Sequence, residues 1–154
     1  MSDASHKKPG FIQKYIFSTD HKVIGIQFLI SSLVFMVFGG LLAMLIRWQL
    51  GWPGQPLAFM EKISPEGMPG GVMVPEYYNM LFTMHGSVMI FFGIIPLLVG
   101  AFGNYLIPLK IGAPDMAFPK LNALSFWMFI PAALIVLSGF FLEGGAAASG
   151  WTAY

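Results

Sequence analysis

Two side chains stand out as able to do chemistry, because each is isolated where such groups are expensive. His85 is the only titratable side chain, tyrosines apart, between Tyr78 and Leu109, a stretch without charge. Asp115 follows just beyond that stretch, and no other acidic residue lies between Glu76 and Glu143. A charge at the centre of a bilayer costs about 3 kcal/mol or more, so each group is a candidate for function. A neutral imidazole is a good axial ligand for haem iron. It serves equally well as a hydrogen-bonded polar group in a helix bundle, and position alone does not choose between the two. Gly86, Gly93 and Gly100 recur every seven residues, with Gly103 close to the same face. Such a strip lets a second helix or a flat ligand approach the backbone. Met89 lies one turn beyond His85, where plain packing competes with a ligand role.

The elements that must position these groups are membrane spans. The chain is 56% hydrophobic and 10% charged, whereas a soluble domain carries about 25% charged residues. Most side chains therefore meet lipid or other apolar surface. A net charge of +1 leaves no basic face for nucleic acid. With no cysteine, disulfides, thiolate metal sites and cysteine nucleophiles are excluded. Three apolar runs are long enough to cross a bilayer: residues 23–47, 78–109 and 121–143. Ser18, Thr19 and Asp20 offer N-caps before the first. Arg47 closes it as an interfacial residue, followed by Trp48 and Trp52. The second is longer than a bilayer requires and should tilt or protrude, with a kink at Pro96. Residues 51–76 read as an outer loop rich in Gly and Pro.

Lysines orient the spans. Lys7, Lys8, Lys14 and Lys22 precede the first, and Lys110 and Lys120 sit between the second and third. Positive charge marks the cytoplasmic side. The N-terminus and Asp115 are therefore expected inside, and His85 in the outer half of the membrane, about two turns below the surface.

Three ordered motifs now carry a resemblance: Thr83-Met84-His85-Gly86-Ser87-Val88-Met89-Ile90-Phe91-Phe92, then Gly103-Asn104-Tyr105-Leu106-Ile107-Pro108, then Ile111 to Pro119. From Ser18 to Thr152 the chain resembles the N-terminal portion of subunit I of the haem-copper oxidases of the cytochrome c oxidase type. The resemblance implies an all-α membrane protein, three transmembrane helices of a bundle of roughly twelve, within one integral-membrane domain. It implies a low-spin haem, of the a type, with His85 as an axial ligand. Arg47 is then the arginine that hydrogen-bonds the haem formyl and raises its potential, although by itself it reads as an anchor. Tyr78 and Trp151 are similar to residues beside the haem propionates, where aromatic-belt anchoring is the ordinary explanation. Asp115 resembles the mouth of a proton pathway, and Asn104, Asn122 and Ser125 resemble polar residues lining its first part. Read plainly, they are a solvated loop carboxylate and turn or cap residues. Amides and a hydroxyl order a water file without holding a proton at neutral pH.

The implied whole enzyme passes electrons from cytochrome c through that haem to a high-spin haem and copper, reduces oxygen to water and pumps protons. Its partners are the other oxidase subunits, among them the copper subunit that docks cytochrome c, and the lipid of a bacterial cytoplasmic membrane. The ligands of the high-spin haem and of copper lie beyond residue 154, so the chain is expected to be a fragment, inactive alone. There are departures. Gln49 stands where the family often has a cation-site glutamate, Lys120 where it usually has arginine, and Ala123 where a second asparagine often follows. Tyr77 and Met80 occupy the places of a histidine and a glutamine in quinol-oxidising members, which points to cytochrome c as donor. Competing classes are a quinol oxidase, a nitric oxide reductase, a b-type haem electron carrier, and a non-redox structural or transport subunit.

Overall fold

The computed structural model describes residues 10–152. Met1, Lys7 and Lys8, part of the charge asymmetry above, lie outside them. The described residues are helical and turn, with no strand. A short helix α1 (Phe11–Tyr15) precedes the first long helix, α2 (His21–Gly51). Then come α3 (Ala58–Ile63), the long helix α4 (Pro75–Ile111) and α5 (Pro119–Phe141). The three long helices are each long and apolar enough to cross a membrane.

Their limits follow from local chemistry. The Asp20 carboxylate accepts from the Lys22 and Val23 N–H groups at 2.8 and 3.2 Å, so α2 starts two residues before the apolar run does. Pro75 and Pro119 open α4 and α5, where a missing N–H costs nothing. Gly112, at φ +70°, ends α4 in the left-handed conformation, its N–H shared between the Leu109 and Pro108 carbonyls.

The middle of α4 departs from an ordinary helix. From Val88 to Gly103 it bonds mainly i→i+5 rather than i→i+4. Pro96, which has no N–H to offer, falls inside this widened stretch. The seven-residue glycine strip does not all face one partner. Gly93 and Gly100 face α2, where an added Cβ would meet Met36 at 3.1 Å and the Phe28 ring at 2.6 Å. Gly86 instead faces open space.

Helices α2 and α4 run antiparallel along a seam on which Gly25 meets Tyr105, Gly100 meets Phe28, Gly93 meets Met36 and Gly39 meets Met89. Rings hold α5 to this pair. Phe28 packs on Phe126 and Phe129 with centroids 5.1 and 5.7 Å apart, and Phe35 and Phe92 join the same cluster. At the end expected to face outward from the lysine asymmetry, the segment between α2 and α4 is a packed cap rather than a bare loop. Met60, Met68 and Met73 are buried there against Leu42, Ile46, Met80, Leu81 and Met84. Its closure needs glycine at position 71, where φ is +79° and a Cβ would stand 2.8 Å from the Leu57 carbonyl oxygen. Only 11% of the most apolar window of α5 is covered by the chain itself, leaving most of that helix to lipid or further helices.

Candidate functional site

His85 and Arg47 sit on different helices but line one groove. About 660 Å³ in volume, it lies between α2 and α4 and is walled by Ala43, Ile46, Leu50, Gly51 and Phe82 as well. That is the size range of clefts that take cofactors and small molecules. Periodicity explains the meeting. Phe82 and His85 are three residues apart on one face of α4, and Ala43, Arg47 and Leu50 are spaced similarly on α2. Arg47 is exposed on that face rather than paired within the packed seam.

The imidazole is oriented by the backbone. His85 Nδ1 lies 2.8 Å from the Gly39 carbonyl oxygen. A carbonyl only accepts, so Nδ1 carries the proton and donates it. The lone pair of a neutral ring is then on Nε2, the form in which histidine binds a metal. Gly86, next in sequence, has nothing within 4 Å of where a Cβ would stand, so bulk beside the ring is not blocked from that side. Donor type, tautomer, open groove and nearby guanidinium all fit a haem. They do not form a chelating cluster: no group of three or more His, Cys, Asp or Glu occurs among the described residues.

The other outer candidates are placed differently. Met89 does not line the groove; its thioether lies against Gly39. Tyr78, half-buried, packs against the outer methionine-rich cluster, one turn before Phe82. Trp151 lies on another face of α4, its indole N–H donating to Ser87 Oγ at 3.0 Å and its ring 5.4 Å from Phe91. The segment leading to it is stitched to α4 through Gly150 N–H to Thr83 Oγ1 at 3.0 Å.

At the inner end the polar groups are near neither His85 nor Arg47. Asn104 is buried; its Nδ2 donates to Gly100 O at 2.6 Å while its Oδ1, also buried, has no partner. Asn122 has an unpartnered buried Nδ2, and its backbone oxygen accepts from the Ser125 hydroxyl at 2.7 Å. Asp115 is half-buried in the loop between α4 and α5, accepting from the Met116 N–H at 2.7 Å. No hydrogen bond joins Asp115, Asn104 and Asn122 to one another among the described residues. Buried amide atoms without partners are where ordered water is found in membrane proteins and soluble ones alike.

Two residues of this arrangement were invisible to sequence reasoning. Gly39 supplies the acceptor for His85, yet only a Gly39-Gly40 pair marks it. His21, 2% exposed, donates from Nδ1 to the Asn104 carbonyl oxygen at 2.8 Å, tying α2 to the inner end of α4. In the sequence it lies just before the first apolar run, at the end of a polar tail.

The chain matches the family model described as Cytochrome C and Quinol oxidase polypeptide I over residues 23–154. It is 45% identical over 140 residues to cytochrome c oxidase subunit 1 of Thermostichus vulcanus, covering 91% of this chain and 22% of the relative. It is 46% identical over 141 residues to the putative cytochrome c oxidase subunit 1-beta of Streptomyces coelicolor, covering 92% and 22%. With cytochrome c oxidase subunit 1 of a Synechocystis strain it shares 42% over 151 residues, covering 98% and 24%. The chain thus spans under a quarter of the length of these curated relatives.

Proposed function

The chain belongs to the cytochrome c and quinol oxidase polypeptide I family, and from that premise we propose that it is the first three-helix part of the catalytic subunit of an oxygen-reducing, proton-pumping oxidase. Its spans cross the membrane with Lys14, Lys22, Lys110 and Lys120 on the cytoplasmic side. A bacterial cytoplasmic membrane is the setting in this reading. The remaining subunits, a high-spin haem and copper belong to the complete enzyme.

The observation that carries the reading is the His85 hydrogen bond to Gly39, with Nε2 left free beside a groove that Arg47 also lines. When bound, a low-spin haem of the a type supplies reversible one-electron chemistry. The chain's own residues do the rest. His85 would hold the iron through Nε2, with Gly39 fixing the ring's tautomer and direction. Arg47 places a positive charge at the groove's outer end, about 12 Å along α2 from Gly39 at 1.5 Å per residue. A fixed cation favours the reduced form and donates to a carbonyl on the macrocycle's edge. Ile46, Leu50 and Phe82 give the groove an apolar lining.

At the inner face Asp115 takes up protons and passes them to water. The open valences of Asn104 Oδ1 and Asn122 Nδ2 hold that water in file. The Ser125 hydroxyl, already spent on Asn122, contributes as a second acceptor only.

Cytochrome c is the favoured donor. Tyr77 and Met80, at the positions that would carry quinol-binding groups, are used internally: Tyr77 packs closely on Gly67, and Met80 is buried with its sulfur accepting from the Ala146 N–H at 3.2 Å. The test is haem extraction and a reduced-minus-oxidised spectrum of the full-length protein. Two haem components are expected, one of which binds carbon monoxide. A single six-coordinate b-type haem that binds no gas would instead make the protein an electron carrier.

A further inference from the structure

The closest approach on the seam above the His85 hydrogen bond lies between Gly39 and Met89. A Cβ at Gly39 would stand 2.6 Å from Met89 Sδ and 2.9 Å from its Cγ, with Val88 Cγ1 at 3.5 Å. The thioether therefore rests on bare backbone, at the residue whose carbonyl oxygen takes the His85 proton. We propose that Met89 is a positioning residue that seals the α2–α4 seam on the bare backbone of Gly39 and so sets the strength of the hydrogen bond acting on His85. This rests on His85 being the haem ligand.

The chemistry runs through the backbone. The Gly39 carbonyl has two lone pairs, and as a helical carbonyl it already accepts from the N–H four residues on. His85 takes the second site. An apolar, polarisable thioether packed on the same residue holds the two helices together at that point, and the Nδ1–H···O bond is stronger for being held short. A stronger bond makes Nε2 more basic, and hydrogen bonding behind the axial ligand is one of the levers on haem potential. A more basic ligand favours ferric iron. Loosening the seal should therefore raise the potential. Only glycine at position 39 allows the seal, because any Cβ displaces the sulfur.

Full-length Gly39→Ala, Met89→Ala and the double variant test this. Gly39→Ala should push the thioether off and part the helices, raising the midpoint potential of the low-spin haem and shifting its reduced band. Met89→Ala alone should move both less, in the same direction. In the double variant the alanine methyl occupies the space the thioether left, so both readouts should return toward wild type. Such rescue is non-additive, as expected only of residues in contact. Should Gly39→Ala fail to assemble, the double variant should restore assembly. An unmoved potential and band in Gly39→Ala, or a double variant no nearer wild type than Gly39→Ala in potential or assembly, overturns the proposal. His85→Ala measured beside them separates the two ideas: retention of the low-spin haem there defeats the ligand reading itself, whatever the Gly39 series shows.

Discussion

The two ends of α4 are tied to α2 by the same bond in opposite directions. At the outer end an imidazole on α4, His85, donates from Nδ1 to a carbonyl of α2, that of Gly39, at 2.8 Å. At the inner end an imidazole on α2, His21, donates from Nδ1 to a carbonyl of α4, that of Asn104, again at 2.8 Å. The donor, acceptor and distance match, but the surroundings do not. His21 is 2% exposed in a closed seam. His85 is half-buried on a groove of about 660 Å³. The bond alone does not make a ligand. What would let one act as a ligand is space beside the ring, and of these two only His85 lines a groove.

The hardest blow to this contrast falls on His85. His85→Ala in the full-length protein should abolish the low-spin haem band, since among the described residues no other histidine lines the groove. An assembled variant with its low-spin spectrum intact would reduce His85 to a second clamp. Next comes the inner end. Asp115→Asn keeps size and hydrogen bonding but removes the charge. Oxygen consumption should drop by about tenfold or more, equivalent to about 1.4 kcal/mol of barrier, with pumping lost in sealed vesicles and both haem spectra unchanged. Wild-type turnover and pumping would move the proton entrance elsewhere.

His21→Ala probes the clamp directly. It strands a buried carbonyl and should lower stability by about 1–3 kcal/mol, read by thermal unfolding in detergent, without altering the low-spin band. A changed band would mean that the two ends are not separable. The smallest effect is expected from Arg47→Met. Loss of the cation should shift the formyl-sensitive band and lower the haem midpoint by about 59 mV, one tenfold step for a single electron. If neither moves, Arg47 is an interfacial anchor.

Much of the fold was legible because lipid imposes simple rules. Long uncharged runs and Asp20 as cap locate the three helices, though prolines 75 and 119 begin α4 and α5 before the apolar runs do. His85 and Arg47 stood out because charge and polarity are rare in such segments. Their meeting in one groove was legible only through the resemblance, which set both at one haem: in helices that are apolar all round, periodicity does not reveal which face turns to which neighbour. The glycine strip misled for a related reason. Equal spacing does not tell which face is covered: Gly86 meets open space, while Gly93 and Gly100 lie on the α2 seam. Gly39 and the carbonyl of Asn104 were out of reach because backbone acceptors carry no residue signature. Unlike the groove, the inner site stays distributed within this chain, its amides unpartnered rather than joined.

That the partner of His85 is a main-chain oxygen has a genetic corollary. No substitution at position 39 removes that atom, so a mutational scan of α2 is blind to it. Changes there register only through the bulk they add, and proline four residues on or a shift of the helix would be needed to disturb the acceptor itself. Screens that score residues by the loss of their side chains would rank the ligand first and leave the group that aims it unscored.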